Sequence, residues 1–331
     1  MIRVAINGFG RIGRVFTRVI QNHPNIQLVA INDLADTNTL AHLLKYDSVH
    51  GHFNGEISTD GEDLIINQHP VKILTERNPE ELPWAPLGID IVIESTGLFR
   101  TRELASKHIA AGAKKVIISA PSKSEDVKTI VLGINEDLLD GSEEILSNAS
   151  CTTNATAPLI KVLDELCGIE VAFLTTVHSY TNDQKLHDAP HADLRRARGG
   201  AQSIIPTSTG AASAIIKIFP QLKGKIEGYA VRVPVPDGSL IDVCATVKKG
   251  VTKDQINAAF QKAATTNLKG VLEYTNEPLV SVDIIGNPHS CIFDAGLTTV
   301  IGNTVKIVGW YDNEAGYSNR LVDLIEKINQ L

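Results

Sequence analysis

The stretch "NGFGRIGR" constrains this chain more than any other. Gly8, Gly10 and Gly13 directly follow a β-rich run, "RVAIN" (Arg3 to Asn7), and open a run predicted as a helix over Ile12 to Gln21. Asp33 closes the next apolar run, "IQLVAIND" (Ile26 to Asp33), 20 residues beyond Gly13. The first glycine permits a tight turn, the second lets a pyrophosphate approach the backbone, and the third lets helix and strand pack closely. Unpaired N–H groups and the positive dipole end at Arg11 and Ile12 would then hold the phosphates. A glycine-rich turn alone is the bland alternative, but strand, helix and acidic residue are all in place, so the spacing predicts a dinucleotide site. Asp33 accepts both adenosine ribose hydroxyls and repels a 2′-phosphate, which favours NAD over NADP.

Similar apolar runs recur at "IDIVIESTG" (Ile89 to Gly97), "KKVIISAP" (Lys114 to Pro121) and "TIVLGIN" (Thr129 to Asn135). Near-continuous apolar strands separated by helices imply a parallel sheet covered on both faces, here a doubly wound Rossmann-type domain. After residue 150 the pattern changes. A helix from Thr152 toward Leu166 precedes the long strands Ile169 to Tyr180, Gly228 to Val235, Ser239 to Lys249 and Asn303 to Glu314. "VPDG" (Val235 to Gly238) predicts a hairpin turn between two of them, and "TKDQ" from Thr252 a capping box. The second part therefore reads as α+β with a large mixed or antiparallel sheet, the boundary falling near Cys151. The last segment places Leu321, Leu324, Ile325, Ile328 and Leu331 on one helical face.

A length of 331 residues fits about two domains, and 43% hydrophobic with 21% charged residues reads as globular. The net charge of −7 gives no basic surface for nucleic acid. No apolar stretch is long enough to span a membrane and no leader precedes "MIRVAINGFG", so a cytoplasmic location is expected. Four cysteines without a CxxC spacing predict reduced thiols and no metal site.

"SNASCTTN" places Cys151 at a strand-to-helix junction, where Ser150 can cap the helix and the dipole favours a thiolate. His178 ends the next strand, and the intervening helix can return it beside Cys151, as base to nucleophile. Taken singly, a cysteine at such a junction is more often packing than chemistry, and a histidine at a strand end is more often a satisfied polar residue. A nearby NAD site gives the pair its chemistry: a thiolate adds to an aldehyde, hydride leaves, and a thioester remains.

"INGFGRIGR", "SNASCTTN", "HSYTNDQ", "IIPTSTGAA", "VRVPVPDGS" and "WYDNEAGYS" together resemble phosphorylating glyceraldehyde-3-phosphate dehydrogenase, in family order along the whole chain. The resemblance implies that Cys151 is the nucleophile and His178 its base. It implies a substrate-phosphate pocket at Thr181 and Arg232, and a site for attacking inorganic phosphate at Ser150, Thr152, Thr209 and Gly210 with Arg195. Arg196 and Arg198 are left as surface or interface residues. For NAD it adds Arg77 and Ser119 around the adenine side, Thr96 along the groove, and Asn313 on the nicotinamide carboxamide. Its domains would be 1–150 for NAD and 151–313 for catalysis, with 314–331 returning as a helix to the NAD-binding domain. Ser179 to about Ala201 resembles the loop that meets a neighbour in the family's homotetramer.

Three departures stand out. Ala155 occupies the place of a common second cysteine, Thr156 replaces an apolar residue, and Ala189-Pro190 is half of an NAD-specific and half of an NADP-tolerant pattern. Erythrose-4-phosphate dehydrogenase, which hydrolyses its thioester, and a non-catalytic binding protein are the alternatives.

Overall fold

The computed structural model describes all 331 residues and divides the chain into two compact units. One comprises Met1–Ile130, Glu136–Ala149 and Ser318–Leu331; the other comprises Val131–Asn135 and Ser150–Tyr317.

The first unit holds a nine-stranded sheet ordered Lys128–Thr129, Ile145–Ser147, Lys115–Ile118, Ile91–Glu94, Ile2–Asn7, Ile26–Asn32, His69–Leu74, Asp63–Ile66 and Ile57–Asp60. The first seven run parallel. Val4, Ile6, Ile31, Val92 and Ile93 are fully buried, which is why their strands read as continuous apolar runs. Strand order reverses at Ile2–Asn7, so a crevice opens at the carboxyl ends there. The helix Arg11–Ile20 follows immediately and buries Val15, Phe16 and Ile20.

Two features of the first 150 residues depart from the sequence reading. The sheet is not parallel throughout: Asp63–Ile66 pairs antiparallel with both its neighbours. The second of those hairpins turns at Asn67 and Gln68, with φ of 48° and 68°. Positive φ at both central residues suits a hairpin, but without glycine the turn carries a faint signal. "TIVLGIN" is the second correction, since only Lys128–Thr129 is strand. The Val131 N–H bonds Asn135 Oδ1 at 2.8 Å and closes a turn through Gly133 at φ 80°, which ends the extended run.

In the second unit an eight-stranded mixed sheet runs Ile205–Thr207, Ile226–Val233, Ile169–Ser179, Ser239–Val247, Thr304–Tyr311, Cys291–Asp294 and Leu272–Thr275, with Thr299–Ile301 paired to Thr304–Tyr311. The helix Cys151–Cys167 packs across one face, with Ala211–Ile218 and Lys253–Thr265 against it. Val171, Phe173 and Tyr229 are exposed on strands of the same sheet. Here the "VPDG" hairpin fails. Ile226–Val233 and Ser239–Val247 are not neighbours; both pair with Ile169–Ser179, one parallel and one antiparallel. The segment instead crosses the end of that strand, and Gly238 at φ 81° fits because any Cβ there would lie 2.3 Å from the Ser281 carbonyl oxygen.

The Thr252 capping box forms as read, Thr252 Oγ1 accepting from the Gln255 N–H and Gln255 Oε1 from the Thr252 N–H. In the final helix, Ala315–Ile328, residues Leu321, Leu324, Ile325 and Ile328 are buried, whereas Leu331 lies past its end and is 56% exposed. No helix is long and apolar enough to cross a membrane.

Candidate active site

Ala149, at φ 57°, turns the chain out of the strand Ile145–Ser147 and into the helix that begins at Cys151. Ser150 caps that helix, its Oγ accepting from the Thr153 N–H at 3.1 Å. Along Ile169–Ser179 the strand alternation buries Ala172, Leu174, Thr176 and His178, placing His178 on the helix-covered side. His178 Nε2 lies 3.5 Å from Cys151 Sγ. Parallel register sets Arg232 opposite His178.

The Ser179 carbonyl oxygen lies 2.7 Å from His178 Nδ1 and accepts from Arg232 Nη1 at 3.0 Å. Arg232 Nη1 is also 2.9 Å from Nδ1 itself. With its proton on Nδ1 the ring donates to Ser179 and turns a bare Nε2 to the thiol; with the proton on Nε2, Nδ1 accepts from Arg232. Only the first tautomer supplies a base to Cys151. Burial, aided by the Arg232 charge, lowers the His178 pKa to about 3. Burial also pushes the Cys151 thiol above its ordinary value, with Arg232 opposing it. The resting pair is thus a thiol and a neutral imidazole, rather than the thiolate that the helix dipole alone suggests.

Tyr311 fixes the two elements to each other. Its hydroxyl bonds Thr152 Oγ1 at 3.0 Å and Thr176 Oγ1 at 2.9 Å, and its ring meets His178 edge-on at 5.9 Å. Arg196 donates to Asp183, Thr207 and the Ser208 carbonyl, and its charge helps depress His178. Arg195 is exposed, with its backbone N–H on Asp193. Asn313 is buried, and its Oδ1 accepts from Ser179 Oγ at 2.7 Å and Ser239 Oγ at 2.8 Å, so its amide nitrogen is the group left to present.

In the first unit the glycine run forms a close-packed turn. A Cβ on Gly8, at φ 93°, would lie 2.7 Å from the Thr96 nitrogen, and one on Gly13 would lie 2.7 Å from the Gly8 carbonyl oxygen. Around Gly10 the space is open, and no side chain caps the helix that follows. Asp33 Oδ2 accepts from the Phe9 N–H at 2.7 Å and Oδ1 from the Ala35 N–H at 3.1 Å. An uncapped helix N-terminus, an open glycine and a fixed carboxylate suit a dinucleotide's pyrophosphate and ribose. The Arg11 guanidinium is held by both oxygens of Asp47, at 2.6 and 3.1 Å. It holds the Asp47 carboxyl down at about 2 despite burial, with help from the His50 and Val49 N–H groups.

Two family models match this chain. Residues 2–102 match the NAD binding domain of glyceraldehyde 3-phosphate dehydrogenase and residues 150–313 its C-terminal domain. The chain belongs to the glyceraldehyde-3-phosphate dehydrogenase family. It is 57% identical over 327 residues to glyceraldehyde-3-phosphate dehydrogenase of Streptomyces coelicolor, covering 98% of this chain and 97% of that one. The Geobacillus stearothermophilus protein of that name is 56% identical over 325 residues, with the same coverage of each chain. The Mycobacterium tuberculosis protein is 54% identical over 336 residues, covering 99% of both.

Set against the residues that the family resemblance implies, the second unit brings Cys151, His178, Thr152 and Arg232 into one cluster. Thr209 and Gly210 stand at the start of Ala211–Ile218, where Thr209 Oγ1 accepts from the Ala211 N–H at 3.2 Å, and Thr181 is half-buried just after the His178 strand. In the first unit Thr96 bonds Glu94 through both its N–H and hydroxyl, the Ser119 N–H donates to the Glu94 carbonyl, and Arg77 is exposed. Of the arginines in this loop, Arg196 is the one whose charge reaches His178 and Arg232, whereas Arg195 is exposed. Adjacent arginines in "DLRRAR" cannot be told apart without knowing the loop. Tyr311 was missed as well, although alternation through Ile307, Gly309 and Tyr311 places it on the buried face.

Proposed function

We propose that this chain catalyses the reversible oxidative phosphorylation of D-glyceraldehyde 3-phosphate with NAD and inorganic phosphate, giving 1,3-bisphosphoglycerate and NADH through a thioester on Cys151. The reading rests on the 3.5 Å approach of the Cys151 thiol to His178 Nε2 at the first turn of a helix. His178 Nε2 takes the thiol proton, and the sulfur attacks the aldehyde carbon. The oxyanion meets the Cys151 backbone N–H and recovers the proton from His178. Bound NAD supplies the hydride acceptor. His178 accepts the hydroxyl proton as the carbonyl re-forms, and a phosphate oxygen then displaces the sulfur.

Arg232 and Thr181 would hold the substrate phosphate, while Ser150, Thr152, Thr209 and Gly210 with Arg196 would hold the attacking phosphate. Two anion sites are required because both phosphates must be bound at once. Backbone at Arg11 and Ile12, with Asp33, Arg77, Thr96, Ser119 and Asn313, would hold NAD. We assign nucleotide binding to residues 1–150 and catalysis to 151–313, with 314–331 belonging to the nucleotide part. The exposed apolar side chains Val171, Phe173 and Tyr229, with Leu186 and Leu194 of the following loop, favour a homotetramer. A cytoplasmic, NAD-preferring enzyme without nucleic-acid or membrane partners completes the reading.

Mixing the protein with NAD and glyceraldehyde 3-phosphate but no phosphate should give a burst of NADH near one equivalent per subunit. Mass spectrometry should find the acyl group on Cys151. Full turnover by Cys151→Ala would overturn the mechanism.

A further inference from the structure

Beneath the glycine turn lies a buried polar network that the reaction does not use. Glu94, at the end of its strand, is 1% exposed and His108, on the helix Arg102–Ala110, is fully buried. His108 Nδ1 accepts from the Trp84 indole N–H at 3.0 Å. The ring proton therefore sits on Nε2 and donates to Glu94 Oε2 at 3.1 Å. The same Oε2 accepts from Asn7 Nδ2 at 2.6 Å, and Oε1 accepts from the Thr96 N–H and hydroxyl. All four acceptor positions of the carboxylate are filled.

The donors other than His108 lead to loops at the mouth of the crevice. Asn7 ends the first strand directly before Gly8, and its Oδ1 accepts from Asn32 Nδ2 at 2.7 Å, beside Asp33. Asn32 in turn pairs with the Glu76 backbone through both ends of its amide. Thr96 lies over Gly8, and Ser95 Oγ donates to the Gly8 carbonyl at 2.7 Å. One carboxylate thus ties the carboxyl ends of three adjacent strands, and His108 anchors it to the helix behind.

We propose that Glu94 and His108 are positioning residues for the dinucleotide: the Trp84–His108–Glu94 chain holds the Gly8, Asp33 and Thr96 loops in the spacing that NAD requires. This rests on the NAD-binding reading above. Removing His108 orphans a buried carboxylate position and the Trp84 N–H, and a half-satisfied network loses its geometry. The loss falls on cofactor binding, because no member of the network bonds a group in the Cys151 cluster.

His108→Leu should raise the Kd and KM for NAD at least tenfold, leaving kcat at saturating NAD and the KM for glyceraldehyde 3-phosphate within twofold. His108→Gln offers one acceptor to Trp84 and one donor to Glu94, and should bring the NAD KM back within threefold. A folded His108→Leu protein that binds NAD as the parent does, or a Gln variant as impaired as Leu, would overturn the proposal. Should His108→Leu not fold, indole N–H exchange in the parent decides. Saturating NAD should slow exchange at Trp84 at least tenfold more than at Trp310, whose indole donates to Asp294 in the other unit. Equal slowing would overturn the positioning role alone, whereas a parent that binds no NAD would overturn the reading beneath it.

Discussion

Between Cys151 and His178 the resting position of one proton is decided by burial and by Arg232. Both groups stand neutral, so the thiolate arises by transfer to an imidazole 3.5 Å away. His178→Asn should slow alkylation of Cys151 by iodoacetamide at pH 7 at least tenfold and leave the exposed Cys244 unaffected; equal rates would remove His178 from the mechanism. Because the folded state holds His178 near pKa 3 and the unfolded chain near 6.5, the folded state binds fewer protons between those values. Stability should therefore fall as pH drops through that window, and thermal melts should show a smaller loss in His178→Asn. The pairing of Cys151 with His178 was legible because a capped helix and an alternating strand fix both ends. Which arginine of "DLRRAR" brings its charge to His178 was not, since it depends on which way an irregular loop turns its side chains.

At the scale of elements, the glycine turn and the helix caps are local, and local features read well from sequence. Gly8→Ala places a methyl group 2.7 Å from the Thr96 nitrogen at a φ that alanine disfavours, so it should weaken NAD binding at least tenfold in calorimetry. Thr252→Ala removes one side of a capping box far along the chain from Cys151. It should cost about 1 kcal/mol, or roughly 2–4 °C in Tm, without changing kcat. Pairing is where sequence reading failed. The "VPDG" turn looks like any hairpin, but a third strand lies between its two flanking strands, and nothing within a turn reveals what was inserted there. The antiparallel edge at Ile57–Ile66 escaped for a related reason, its second reversal resting on Asn67-Gln68 rather than glycine.

At the scale of the whole molecule, the exposed apolar side chains of the second unit predict self-association. Phe173→Glu puts a charge at a 61%-exposed apolar position and should shift the protein toward smaller species in sedimentation. An unchanged sedimentation profile would move the interface elsewhere. Two units, one carrying a dinucleotide loop and the other a paired thiol, are the large-scale features that the sequence made legible, through the shift from parallel to mixed pairing after residue 150. The central claim is that a thioester on Cys151 is released by phosphate. Steady-state NADH formation from glyceraldehyde 3-phosphate, measured with and without inorganic phosphate, tests it most directly. Turnover should fall to a few per cent or less without phosphate and return when it is added, whereas undiminished turnover in its absence would contradict the account.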